Sequence, residues 1–99
     1  MLNIDKKIDG TKAVFKLGGR LDTNTAVELE TALKPDIDSL NDLVFDFADL
    51  EYISSAGLRV LLASHKTLSK KGTMKITNAN ETIMEIFEVT GFSDILTIE

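Results

Sequence analysis

The run Leu43-Val44-Phe45-Asp46-Phe47 is compact, β-branched and aromatic, and it is too short for a helix. Such a run suits a strand covered on both faces, as in a sheet with helices packed on it. Asp46 interrupts the run and reads as a position near the strand end. Beyond it the longest helix of the chain opens. From about Ser55 to Lys71, residues Leu58, Leu61, Leu62, His65 and Leu68 recur at three- and four-residue spacings. Gly72 is placed as the C-terminal cap of that helix.

The remaining segments extend this strand-then-helix pattern in both directions. Leu2, Ile4 and Ile8 precede the turn dipeptide Asp9-Gly10, and Ala13, Phe15 and Leu17 then alternate with Val14, Lys16 and Gly18. The first third therefore reads as a hairpin whose second strand ends at Gly18-Gly19. Thr23-Asn24-Thr25 is a cluster of cap-forming residues. Thr25-Ala26-Val27-Glu28 fits a capping box, and Asn24 is an equally good cap by propensity. Ala26, Leu29 and Leu33, with Val27 one position round, trace a short helix that Pro35 stops. Thr73–Thr77 reads as a strand. Asn80 caps a third helix carrying Ile83, Met84, Ile86 and Phe87, Gly91 ends it, and Ile95–Ile98 is the last strand. The order β-β-α-β-α-β-α-β predicts a single α/β domain over residues 1–99, with a mixed sheet and helices packed mainly on one face.

Ninety-nine residues with 43% hydrophobic and 27% charged suffice for one core without a metal or disulfide. The absence of cysteine excludes disulfide scaffolds, thiolate metal sites and cysteine nucleophiles, and a single His removes most His-based metal sites. No cofactor or metal is expected. A formal charge of −5 repels phosphate backbones, so no nucleic acid is expected as a partner. No apolar run approaches the ~20 residues that cross a bilayer, and residues 1–9 do not resemble a secretory signal. The expectation is a cytoplasmic domain without membrane insertion.

Catalytic constellations fail on spacing. His65 lies ten residues after Ser55 on the same predicted helix, which separates them by roughly 15 Å along the axis at ~1.5 Å rise per residue. A Ser-His pair is therefore out of reach. Gly-x-Ser-x-Gly and both glycine-rich phosphate loops are absent. Asp36, Asp38 and Asp42 lack the Gly and final Glu of a calcium loop and read as a solvated loop. Lys66, Lys70, Lys71 and Lys75 read as a solvated helix face. No catalytic residue is assigned, and the chain is not expected to be an enzyme.

Tyr52-Ile53-Ser54-Ser55-Ala56-Gly57-Leu58 is different. It follows a buried strand and opens a helix, where exposed N–H groups and the positive dipole end favour negative charge. Ser54 serves as the N-cap. That leaves Ser55 in the first turn and Gly57 inside the helix, where Gly costs about 1 kcal/mol relative to Ala. A glycine there makes sense if another surface approaches the backbone closely. The segment reads as a serine presented to a partner or to a kinase.

The stretch from Leu43 to Leu61 resembles the centre of a STAS domain of the bacterial anti-sigma factor antagonist type. Gly19-Arg20-Leu21-Asp22 followed by Ala26 resembles the upstream Gly-x-Leu-Asp element of that family, and Phe87-Glu88-Val89-Thr90-Gly91-Phe92 resembles its closing element. Laid on this chain, the family's Asp-Ser-Ser-Gly-Leu becomes Ser54-Ser55-Ala56-Gly57-Leu58. Ser54 stands where the family has Asp, and Ala56 where it has a hydroxyl residue.

The resemblance implies a partner-switching module. Its partner would be an anti-sigma factor with serine kinase activity, which phosphorylates Ser55, and a serine phosphatase would reverse the modification. Asp22, Thr23, Asn24, Ser54, Ser55, Ala56, Gly57, Leu58 and Arg59 are the implied partner-binding residues, with Asp22 near the Ser55 helix start. Asp22 has the alternative role of capping the turn into the helix that follows it. The alternative function is a STAS scaffold subunit of a transport or signalling assembly in which Ser55 is never modified.

Overall fold

The computed structural model describes residues 2–99. The elements are β1 (Leu2–Asp9), β2 (Lys12–Leu21), α1 (Thr25–Leu33), β3 (Asp42–Ile53), α2 (Ser55–Ser69), β4 (Thr73–Thr77), α3 (Glu81–Thr90) and β5 (Thr97–Ile98). Short 3-10 turns at Ile37–Ser39 and Phe92–Asp94 precede β3 and β5. The five strands lie in chain order, β1 antiparallel to β2 and every later pair parallel. Each parallel step is a crossover to the next strand in the same direction. Right-handed crossovers therefore set all three helices on one face.

The helix-covered face holds the core. Ala13, Phe15 and Leu17 of β2, Leu43, Phe45 and Phe47 of β3, and Met74 and Ile76 of β4 are buried there. Phe15, Phe45, Phe47 and Phe87 form a chain of ring contacts with centroid separations of 6.0, 6.3 and 6.5 Å. The other face is open to solvent. Val44 and Asp46 are half-buried on it, and Lys16 reaches Asp49 at 3.5 Å. The β3 run is thus covered by helices on one face and not on two.

Several local expectations are corrected. β2 does not end at Gly18-Gly19 but continues to Leu21, with Gly19 at a φ of +91°. β3 runs twelve residues, and Asp46 lies within it, not near its end. The register with β2 slips twice, from Lys16↔Asp46 to Gly18↔Asp49 and from Gly19↔Leu50 to Arg20↔Tyr52. Each slip inserts one residue into β3, a β-bulge. Asp46 Oδ1 supports the first by accepting the Ala48 N–H at 3.0 Å and the Asn78 side-chain amide at 3.0 Å.

Gly72 is not a left-handed cap. A Cβ there would lie 1.6 Å from the Asn41 carbonyl oxygen, so the glycine permits a close backbone crossing. Lys71 is not simply solvated, since its Nζ donates to the Ile37 carbonyl at 3.1 Å and to the Asp38 carbonyl. The last strand is only Thr97–Ile98, because the residues before it form a turn that buries Leu96.

Candidate functional site

The parallel strands β2 and β3 end side by side, Leu21 beside Ile53, and the Ser54 N–H donates to the Leu21 carbonyl at 2.8 Å. The loops that follow, Asp22–Asn24 and Ser54, are therefore neighbours. Both lie at the carboxyl ends of their strands, where open α/β sheets present their sites.

Asp22 starts α1. Its Oδ1 accepts the N–H groups of Asn24 and Thr25, both at 3.0 Å. Thr25 Oγ1 in return accepts the Asp22 N–H at 2.8 Å and donates to the Arg20 carbonyl at 2.8 Å. This is a reciprocal capping box over Asp22–Thr25. The box expected at Thr25–Glu28 is not formed, and Asn24, already helical in its dihedrals, makes no side-chain cap. The Thr25 backbone N–H is the largest influence on the Asp22 carboxyl and lowers its pKa. Desolvation opposes that effect, while the Thr25 hydroxyl and the Asn24 N–H add to it.

Ser54 is the N-cap of α2. Its backbone is extended and its Oγ accepts the Gly57 N–H at 3.4 Å, a long bond for a cap. Ser55 is exposed, and its hydroxyl makes none of the hydrogen bonds found among the described residues. The first turn of α2 carries no acidic side chain, so its N–H groups and dipole end are not neutralised from within the helix.

The other residues expected in the surface divide into two groups. Thr23, Asn24 and Arg59 are exposed and Ala56 is half-buried. Gly57 and Leu58 are buried in the domain and offer a partner no surface of their own. A Cβ on Gly57 would lie 2.7 Å from Leu21 Cγ and 2.8 Å from Ile53 Cγ1. The surface that approaches Gly57 closely is thus the protein's own sheet.

Two features were not expected. Thr23, Val27, Ala56 and Arg59 line a hollow of about 370 Å³ between α1 and α2, with Val27 63% exposed at its rim. The signal for Val27 was its position one step off the apolar stripe of α1. The Arg20 guanidinium stacks 4.6 Å from the Tyr52 ring centre just before the two loops, a cation–π contact. It pairs residues 32 apart in the chain, and no local pattern signals it.

The family model of the STAS domain matches residues 3–99. An anti-sigma-B factor antagonist of Bacillus subtilis is 30% identical over 98 residues, covering 98% of this chain and 90% of the relative. An anti-sigma-B factor antagonist of Staphylococcus aureus is 30% identical over 97 residues, covering 96% and 90%. Among solved structures, an anti-sigma factor antagonist from Mycobacterium paratuberculosis superposes with a TM-score of 0.89 at 23% identity, over 99% of this chain and 85% of that one. The Bacillus cell fate determinant SpoIIAA in its phosphorylated form superposes with a TM-score of 0.76 at 17% identity, over 98% and 91%. At such identities the structures speak for the fold.

Proposed function

The chain belongs to the STAS-domain family, and from that premise we propose that it is an anti-sigma factor antagonist controlled by phosphorylation of Ser55. Residues 1–99 act as one cytoplasmic domain that has no catalysis of its own and switches partners. Unmodified, it binds an anti-sigma factor with serine kinase activity. The exposed face of the two loops and the α1–α2 hollow form the contact, through Asp22, Thr23, Asn24, Ser55, Ala56 and Arg59. Gly57 and Leu58 contribute by fixing the backbone beneath.

The observation that carries this reading is the division of labour between the two serines. Ser54 spends its oxygen on the Gly57 N–H, while one residue later the Ser55 hydroxyl is exposed and makes no hydrogen bond among the described residues. A kinase needs the second kind. Curated relatives at 30% identity are named anti-sigma-B factor antagonists, and SpoIIAA is known in a phosphorylated form. Transfer joins Ser55 Oγ to the γ-phosphorus of ATP, ADP leaves, and the hydroxyl proton passes to a base of the kinase.

The consequence is electrostatic. A phosphoserine adds about −1.5 to −2 charge at the start of α2, next to the loop that carries the ionised Asp22. The α2 N-terminus accommodates that charge, whereas an interface fitted to a neutral hydroxyl does not. A few kcal/mol of desolvation and repulsion corresponds to roughly a 100-fold or larger loss of affinity, and a serine phosphatase restores binding.

The test is intact-mass and peptide mass spectrometry after incubation with ATP and the cognate kinase. One phosphoryl group on Ser55 is expected. Phosphate on Ser54 would overturn the assignment. A chain that binds its partner but is never modified would be the scaffold subunit instead.

A further inference from the structure

Among the described residues β1 is hydrogen-bonded to β2 on one side only, so eight residues of its backbone run along the sheet's long edge. The opposite edge, β5, has two residues. A long free edge is a template for another strand. Pairing with β2 fixes how the β1 side chains alternate. Ile4, Lys6 and Ile8 share the helix-covered side with Leu17, Phe15 and Ala13, while Asp5 and Lys7 share the open side with Lys16 and Val14. Ile8 and Val14 are 44% and 40% exposed at the hairpin end, beside a shallow hollow of about 190 Å³.

We propose that β1 pairs antiparallel with β1 of a second copy of this chain, about a two-fold axis at Lys6. In that register Ile4 faces Ile8 of the second copy and Asp5 faces its Lys7, each twice by symmetry. The charges along this edge are self-complementary at one register. A one-residue slip sets Ile4 against residues of the open face. A two-residue slip sets Asp5 against Asp5, or Lys7 against Lys7 together with Asp5 against Asp9, and like charges directly opposite are destabilising. Lys6 would meet its own copy at the axis, but its ammonium is turned away and compensated. It lies 2.8 Å from the Asp36 carboxylate and 3.2 Å from the Ala32 carbonyl at the end of α1.

The product is one ten-stranded sheet with the helices of both copies on the same face. The two-fold reverses the strand direction, so the two Ser55 ends point in opposite directions and neither is covered. An edge pairing of eight residues buries less than the ~800 Å² per partner of a standard interface. Association is therefore weak and concentration-dependent.

Sedimentation velocity from about 10 μM to 1 mM tests this, a range chosen for that weak regime. The wild type is expected to shift from monomer to dimer across it. Lys7→Asp and Asp5→Lys each replace two attractive contacts by two repulsive ones, and each alone should weaken dimerisation about tenfold or more. An equimolar mixture of the two variants should recover association, because the edge of the first, acidic at both positions, then faces the edge of the second, basic at both. A wild type monomeric throughout overturns the proposal. So does a dimer indifferent to either variant, or a mixture no tighter than its components. Far-UV circular dichroism confirms that the variants are folded.

Discussion

Ser54 and Ser55 are adjacent and chemically identical, and only the path of the backbone separates them. Ser54 sits where the strand has not yet become helix, so its oxygen meets the N–H of Gly57, whereas Ser55 is already in the first turn. Ser54→Ala is therefore expected to cost about 0.5–1 kcal/mol, the low end for a cap, because the bond is long. Ser55→Ala should change stability by no more than about 0.5 kcal/mol. Urea denaturation measures both, and a Ser55→Ala variant that loses more than Ser54→Ala would show that the two are exchanged. The functional counterpart is that Ser55→Ala binds the anti-sigma factor constitutively while Ser55→Asp binds it weakly, read by calorimetry. Gly57 supplies a sharper contrast with propensity. Ala is the better helix former by about 1 kcal/mol, yet Gly57→Ala should destabilise by about 1–3 kcal/mol. The added methyl meets Leu21 and Ile53, which are themselves nearly inaccessible to solvent and cannot yield.

At the level of elements, what could be read in advance depended on periodicity. α2, α3 with its Asn80 cap and Gly91 stop, and the β1–β2 hairpin as far as Gly18 carry regular spacings and were legible. β3 was legible only as far as Phe47. Its buried residues Leu43, Phe45 and Phe47 are two apart, but Leu50 and Ile53 follow at intervals of three, because each bulge inserts a residue that turns neither way. A period-two pattern ends there although the strand does not. The capping box was displaced for a related reason. Asp22 and Thr25 carry as good a signal as Thr25 and Glu28, and only the end of β2, prolonged through Gly19, selects between them. Leu40, fully buried among the acidic residues of the α1–β3 connection, had no periodic neighbours to announce it. The Asp22 box has a pH signature. Its folded pKa lies below the unfolded value of 3.8, so its contribution is present above about pH 4 and is lost as pH falls through the folded pKa. The stability gap between wild type and Asp22→Asn, followed by urea denaturation, should be widest near neutrality and narrow as the pH falls below about 4.

Across the whole molecule, stability is concentrated on the covered face. The chain of rings from Phe15 through Phe45 and Phe47 to Phe87 joins β2, β3 and α3 across the core. Phe47→Ala should cost about 3–5 kcal/mol, a large share of the roughly 5–15 kcal/mol that holds a domain of this size together. Thermal and urea denaturation should both register it, and a loss under about 1 kcal/mol would mean the ring cluster is not the keystone described. The open face, with its charged side chains and the solvent-exposed Lys16–Asp49 pair, should tolerate substitution with far smaller effects. The order of the strands carries a kinetic consequence. Because each strand pairs with the strand just before it in the chain, every closure spans one hairpin or one strand-helix-strand unit, and none waits for a distant segment. Loop-closure entropy is met one unit at a time, as the parallel pairings successively join Lys12 to Asp42, Asp42 to Thr73 and Lys75 to Thr97. A chain emerging amino-terminus first can add one unit at a time to a sheet edge that already exists, with β3 completing the hairpin platform before α2 and β4 are made.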